Sequence, residues 1–333
     1  MQAMLRALCI VGVLSGVAVL PLMIGDYYVS LIIKIMIYSI FALSLQLLVG
    51  GAGLVSLGHA AFFGIGAYTT TLLSPESGAG SLLWLMVCAV FSAMAYALVT
   101  GALALRTKGV YFIMVTLAFS QMAYYVFHDT DVGGGSDGIY LYFRPELRLG
   151  DWLFFTIDTP HRLYLFTLAC LMLTWAFLAM LMRSRFGAAL TGIKVNELRM
   201  RSAGYSTFNY KLVAYAIGGA LAGISGLLYA SKDGFVNPEL LSWEQSGLVL
   251  LMVILGGSSR LWGAVLGAAG LTLLQEAFQS QSLFGDLATH WHLTFGLSIM
   301  ALVAIMPNGL IGISAQWRSR RSAMRAAAAA SQG

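Results

Sequence analysis

Leu48-Val49-Gly50-Gly51-Ala52-Gly53-Leu54-Val55-Ser56-Leu57-Gly58-His59-Ala60-Ala61-Phe62-Phe63-Gly64-Ile65-Gly66-Ala67-Tyr68 is the stretch on which the fold turns. Gly50, Gly51 and Gly53 crowd into one short segment, and glycine costs a helix about 1 kcal/mol per residue relative to alanine. Apolar runs over 29–49 and 54–73 flank them, each long enough to cross a membrane as a helix. The glycines therefore predict a broken helix inside a bilayer. Lipid offers no partner to a free N–H or C=O, so such a break must be buried in protein or line a wet cavity. Many solute pathways are built from discontinuous helices of this kind. Beyond the break, Gly58, Gly64 and Gly66 form a small-residue surface suited to close helix contact, with Ser56 and His59 as its polar members. Gly53, Ser56, His59, Phe62 and Phe63 are the candidate pathway residues. His59 admits a second reading, a packing histidine hydrogen-bonded to the backbone of a neighbouring helix.

The rest of the chain speaks the same language. Of its 333 residues 59% are hydrophobic and 10% charged, with mean hydropathy +0.81. A soluble domain carries about 25% charged residues, so this chain would expose large apolar patches in water. Further apolar runs cover 8–24, 82–105, 110–127, 163–182, 212–229, 245–255, 262–278 and 293–306, and the run 245–255 is short enough to be re-entrant. The expectation is an all-α polytopic transmembrane helical bundle of about nine or ten spans. Arg6 ahead of 8–24 fits a signal peptide, but Pro21, Leu22 and Met23 make a poor cleavage site, so a retained first helix is expected. Cys9, Cys88 and Cys170 each sit in an apolar run and imply no disulfide framework.

Charge sets the orientation. Arg183, Arg185, Lys194, Arg199, Arg201 and Lys211 crowd the segment 183–211 against the single acid Glu197. Arg106 and Lys108 fill another turn, and Arg318, Arg320, Arg321 and Arg325 lie in a basic, Ala-rich tail over 318–333. These regions fall on one side of the expected spans, which the positive-inside rule makes cytoplasmic, with both termini inside. The transmembrane domain then occupies 1–317. The acidic loops fall opposite, including the long connection 129–161 with Gly133-Gly134-Gly135-Ser136-Asp137-Gly138, which serves as a docking surface or lid or as a solvated linker. The pI near 9.1 thus reflects membrane orientation rather than nucleic-acid binding.

Several chemistries find no support. No G-x-x-x-x-G-K-[ST] loop is present to bind nucleotide, and no H-E-x-x-H or paired-Cys spacing to bind a metal. Lys34 and Glu276 are the only charges within apolar runs, both toward the expected outer ends, so no intramembrane relay of an ion-coupled carrier is visible. Gly223-Ile224-Ser225-Gly226 with His290 and His292 resembles the serine and histidine of an intramembrane protease, but four small residues are also what close helix packing selects.

The motifs together resemble the permeases of branched-chain amino-acid ABC transporters, in particular the LivM-like branch. The resemblance starts in the segment quoted above and continues through Leu105-Arg106-Thr107-Lys108-Gly109-Val110-Tyr111-Phe112, Val115-Thr116-Leu117-Ala118-Phe119 and Gly134-Gly135-Ser136-Asp137-Gly138-Ile139. It resumes at Arg185-Phe186-Gly187 through Gly204, Tyr210-Lys211-Leu212 and Ala222-Gly223-Ile224-Ser225-Gly226. It closes on Leu255-Gly256-Gly257-Ser258-Ser259-Arg260-Leu261-Trp262-Gly263 and Pro307-Asn308-Gly309-Leu310-Ile311-Gly312. It implies a non-catalytic subunit in a bacterial inner membrane, paired with a sister permease, two cytoplasmic ATPases that hold the ATP and Mg, and a periplasmic solute-binding protein. The substrates it implies are branched-chain or related amino acids, with urea and short amides as the alternative within the family. It also implies a coupling segment over 183–211, with Arg185, Gly187, Lys194, Glu197 and Gly204 at the ATPase contact and a short amphipathic helix between Gly187 and Gly204. There the chain departs from the family's usual I-R-E-N-E run, reading Ile193-Lys194-Val195-Asn196-Glu197 and then Leu198-Arg199-Met200. A bulkier, more basic surface of this kind puts exchange with other ATPases of the family in doubt.

Overall fold

Helices pair every backbone group within one segment, and the apolar runs fold accordingly. The computed structural model describes residues 25–75, 78–149, 152–157, 159–258, 260–280, 285, 290–306 and 309–312. The run 8–24, the tail 318–333 and both chain ends lie outside the described residues. In chain order come α1 (Asp26–Gln46), continued by a π-helical segment (Leu47–Ala52), then α2 (His59–Leu72), α3 (Leu82–Ala104) and α4 (Val110–Asp129). Strands β1 (Ile139–Tyr140), β2 (Glu146–Leu149) and β3 (Trp152–Thr156) precede α5 (Pro160–Arg183), α6 (Arg185–Val195), α7 (Glu197–Ser202) and α8 (Thr207–Asp233). The chain continues with β4 (Phe235–Val236), a 3-10 turn (Pro238–Leu241), α9 (Trp243–Gly256), α10 (Leu261–Gln279) and α11 (Trp291–Ile305).

Seven helical stretches among the described residues are long and apolar enough to cross a membrane. Of the shorter helices, α2 and α9 have 14 residues each. At 1.5 Å per residue they rise only about 21 Å, short of the roughly 30 Å hydrocarbon core. Non-helical backbone makes up the difference. The run expected as a helix from Leu54 is extended until His59, and α9 is preceded by the 3-10 turn. Two crossings of the bundle are thus broken.

The bundle has a centre and a rim. The most apolar windows of the first span and of α8 are 78% and 67% buried, against 28%, 22% and 17% for α3, α4 and α5. The rim helices turn Trp84, Phe91, Val99, Met114 and Met180 outward, as lipid requires. At the centre α2, α8 and α3 touch through small residues. A Cβ on Gly226 would lie 2.0 Å from the Phe63 carbonyl oxygen, and one on Gly223 would lie 2.7 Å from that of Ala89. The small-residue surface expected around Gly58, Gly64 and Gly66 makes three close contacts, one of them to α8. Gly66 faces the Gly223 carbonyl, Gly64 the Leu241 side chain and Gly58 the Thr116 carbonyl.

The polar connections segregate to the two ends. At one end β1 pairs antiparallel with β4, setting Ile139 opposite Val236, and β2 and β3 form a hairpin. The Glu146 N–H donates to the Gly80 carbonyl at 2.9 Å. The connection 129–161 is therefore tied to two other loops rather than slack. Tyr27, in the first turn of α1, donates its hydroxyl to Glu276. At the other end Lys108, Lys194, Glu197 and Lys211 line one cleft.

Candidate functional site

The site is where the two broken crossings meet. The π-helical segment ends at Gly53, whose φ of 70° lies in the left-handed region open to glycine. The N–H groups of Gly53 and Leu54 both turn back to the Leu48 carbonyl, and the chain then runs extended to Gly58. Side chains take the place of the missing helical partners. Leu57 N–H donates to Thr116 Oγ1 at 3.2 Å and Gly58 N–H to Ser56 Oγ at 3.2 Å. Ala60 N–H, in the first turn of α2, donates to Ser246 Oγ in the first turn of α9 at 2.9 Å. The first turn of any helix carries N–H groups without intrahelical partners, and Gly58 at the N-cap has no side chain to supply one. Ser246 supplies it from 186 residues away. Just ahead of α9 the Ser120 hydroxyl donates to the Leu241 carbonyl at 2.8 Å, fixing the 3-10 turn against α4.

His59 is fully buried beside this junction. Its partner is the Ser44 hydroxyl, with Nε2 at 2.8 Å, rather than the backbone carbonyl expected for a packing histidine. Ser44 gives its own proton to the Phe41 carbonyl at 2.6 Å, so Nε2 carries the imidazole hydrogen and donates. Nδ1 is then a bare acceptor, and no group among the described residues partners it. The ring stacks on Phe41 at a centroid distance of 5.7 Å and meets Phe62 edge-on at 5.4 Å. Phe62 packs against Tyr215 and Tyr96, and Phe63 against Phe41 and Tyr229. Of the five candidate pathway residues, Ser56, His59, Phe62 and Phe63 thus stand together in an aromatic core between α1, α2, α3 and α8. Gly53 stands apart from them. It borders an open cleft of about 500 Å³ shared with Leu54, Val55, Val110, Phe112 and the charged groups Lys108, Lys194, Glu197 and Lys211. Thr116, Ser120 and Ser246 belong to the junction too; Thr116 falls in the Val115–Phe119 stretch quoted above, whereas Ser120 and Ser246 are hydroxyl residues in apolar runs that no quoted motif covers.

The segment 183–211 holds two helices where one was expected. Ser184 caps α6, accepting from Gly187 N–H at 3.5 Å. Asn196 then leaves helical geometry and caps α7, its Oδ1 accepting from Arg199 N–H at 3.0 Å. An Asn followed by Glu is a helix-start signal legible in the sequence itself. Gly187 is buried, and a Cβ there would sit 2.4 Å from the Met182 carbonyl. Gly204 ends the segment with φ 88° in open space. Arg185 is exposed at the start of α6. Glu197 turns inward, where Lys211 Nζ at 2.7 Å, Thr207 Oγ1 at 3.1 Å and Arg201 at 3.2 Å all donate to its carboxylate. Partial burial pushes its pKa up, but the Lys211 hydrogen bond and charge pull it down further, and the net direction is downward. Val195 and Leu198, by contrast, project from the elbow between α6 and α7, 79% and 69% exposed.

Ser225 is fully buried in α8 and donates to the Ala222 carbonyl of its own helix at 2.7 Å. With Gly223 and Gly226 pressed against α3 and α2, the G-x-S-G stretch has the geometry of a packing surface.

A bundle of long apolar helices holding two broken crossings, with a basic cleft and a capped two-helix elbow at one end, is a multi-pass membrane permease. The family described as branched-chain amino acid transport system / permease component matches residues 27–304. The high-affinity branched-chain amino acid transport system permease protein LivM of Salmonella typhimurium is 32% identical over 310 residues, 87% of this chain and 71% of that protein. LivM of Escherichia coli K12 is 31% identical over 325 residues, 92% of this chain and 75% of that protein. The permease protein LivH of the same Salmonella transport system is 25% identical over 293 residues, 83% of this chain and 91% of that protein. No solved structure matches the chain. The chain belongs to the branched-chain amino acid permease family and is a membrane permease subunit of an ABC importer.

Proposed function

We propose that this subunit imports branched-chain amino acids across a bacterial inner membrane, paired with a sister permease and driven by two cytoplasmic ATPases. The elbow carries the reading. Val195 and Leu198 present exposed apolar side chains beside Arg199 and Arg201, on a pair of capped helices anchored to α8 by Glu197 and Lys211. A rigid apolar knob ringed by charge suits insertion into a groove on another protein. Arg185 and Gly204 flank that surface. ATP and Mg act on the partner chains, and this chain performs no covalent chemistry. The opposite end, where β1 and β4 pair, receives the solute-binding protein. Gly53 lines the path where it opens to the cleft, and Ser56, His59, Phe62 and Phe63 form the wall behind it, exposed to substrate when the halves of the transporter part.

A tagged form of the chain, purified gently and analysed by mass spectrometry, should retain a second hydrophobic permease and an ATPase with a phosphate-binding loop. Proteoliposomes holding that assembly and its binding protein should import labelled leucine only with ATP inside. Import driven by an ion gradient in the absence of ATP, from a chain that purifies alone, would overturn the proposal.

A further inference from the structure

The cleft holds a contact that the coupling role of the elbow does not by itself explain. Lys194 belongs to α6, one residue from the exposed Val195, yet its side chain runs inward. Its Nζ donates to the Gly50 carbonyl at 3.0 Å, across 144 residues of sequence. Gly50 lies in the π-helical segment, where the chain turns out of helix at Gly53 and leaves the last carbonyls without helical partners. A cation is the natural partner for such a carbonyl, because the C-terminal end of a helix carries partial negative charge. The lysine stem reaches it by lying across Gly53. A Cβ at Gly53 would sit 3.0 Å from Lys194 Cγ and 3.6 Å from Lys194 Cβ. The left-handed glycine is therefore needed twice, for the turn and for the passage of the stem.

The far side of the break is pinned as well. Gln46 Nε2 donates to the Ser258 carbonyl at 2.8 Å, joining the end of α1 to the turn between α9 and α10. The π-helical segment is held between the two broken crossings on one flank and the elbow on the other.

We propose that Lys194 is a positioning residue for transport, clamping the coupling elbow to the broken first span so that the two move as one body. The inference rests on the coupling role given above to the elbow. With its ammonium bound to the Gly50 carbonyl, Lys194 carries displacement of the elbow into the segment that borders the cleft.

The test uses the whole assembly in proteoliposomes, reading leucine import and ATP hydrolysis in the same vesicles. Lys194→Met should lower import per ATP hydrolysed about tenfold or more, within the range spanned by ordinary coupling free energies. Hydrolysis and subunit recovery should hold, and Lys194→Arg, which keeps a long donor, should retain coupling. A Lys194→Met assembly with the parent's import-to-hydrolysis ratio would overturn the proposal. So would a Lys194→Arg assembly that loses coupling as fully as Lys194→Met, since a long cationic donor at the Gly50 carbonyl would then not carry it. Failure of the parent assembly to import leucine with ATP would instead remove the coupling role itself, and is read before any variant is made.

Discussion

Replacing Ser246 by alanine isolates the contact on which the two broken crossings meet. The change removes one oxygen from a fully buried position and leaves the volume nearly intact, so apolar transfer and cavity terms are small. What remains is the Ala60 N–H, which loses its acceptor at 2.9 Å. A buried donor left without a partner costs about 1–3 kcal/mol, and loss of a helix-capping oxygen costs about 0.5–2 kcal/mol, so both routes to the estimate converge near 1–2 kcal/mol. Ser225→Ala is the matched control. Ser225 is equally buried, and its hydroxyl donates to an α8 carbonyl that the helix ladder already serves. Its removal orphans nothing and should cost less than about 0.5 kcal/mol, because net contributions of satisfied neutral hydrogen bonds are small. Unfolding both variants in mixed micelles by titration with SDS compares the same chemical deletion at two fully buried serines. Equal losses of stability would refute the reasoning, since burial alone, and not the orphaned amide, would then decide the outcome. Import retained in Ser225→Ala would also remove the last support for a nucleophilic serine in α8.

Two further expectations follow from contacts of other kinds. Gly226→Ala places a Cβ 2.0 Å from the Phe63 carbonyl oxygen, so α2 and α8 must separate by 3.4 − 2.0 = 1.4 Å to reach ordinary contact. That belongs at the upper end of the roughly 1–3 kcal/mol cost of overpacking. Gly247→Ala, which meets open space, should be neutral or mildly stabilising in the same SDS titration. Glu197, whose pKa is depressed on folding, stabilises the elbow at pH values above the ordinary carboxylate range and loses that contribution as pH falls through its depressed value. Hydrogen exchange across residues 185–207 should therefore accelerate as pH is lowered into that window, after correction for intrinsic rates. Glu197→Gln should remove the pH dependence and leave exchange fast throughout; a pH dependence unchanged in Glu197→Gln would assign the titration elsewhere.

The break after α1 was legible because glycine acts locally. Gly50, Gly51 and Gly53 weaken a helix wherever they occur, and the apolar runs around them declare the bilayer. The packing role of Gly58, Gly64 and Gly66 was legible for the same reason. The length of the break was not. Leu54, Val55 and Leu57 are good apolar residues, and the stretch stays extended because Thr116 holds the Leu57 amide and Ser246 that of Ala60, from 59 and 186 residues away. The Ser44 partner of His59 and the pairing of β1 with β4 are non-local in the same way. The division between α6 and α7 is a different kind of omission. Asn196 and Glu197 announce a new helix within the segment by a local signal, a capping side chain followed by an acid in the first turn.

The satisfied break also constrains how a transporter of this shape can move. The Leu57 and Ala60 amides reach their partners, Thr116 and Ser246, across a buried junction, and freeing either costs about 1–3 kcal/mol before any substrate is bound. Phe41, Phe62 and Phe63 interlock with Tyr96, Tyr215 and Tyr229 around the same segment, so a local slide of α2 would disrupt several ring contacts at once. Packed interiors of this kind shift as rigid bodies between discrete arrangements and do not deform continuously. Motion enters this rigid unit at the edges of the junction. There a single lysine crosses to one carbonyl, the elbow is held to α8 by one carboxylate, and a cleft of about 500 Å³ separates them. A motion delivered at the elbow is therefore expected to carry α1, the π-helical segment and α2 together against the sister subunit, opening the pathway between subunits rather than through the core of this one.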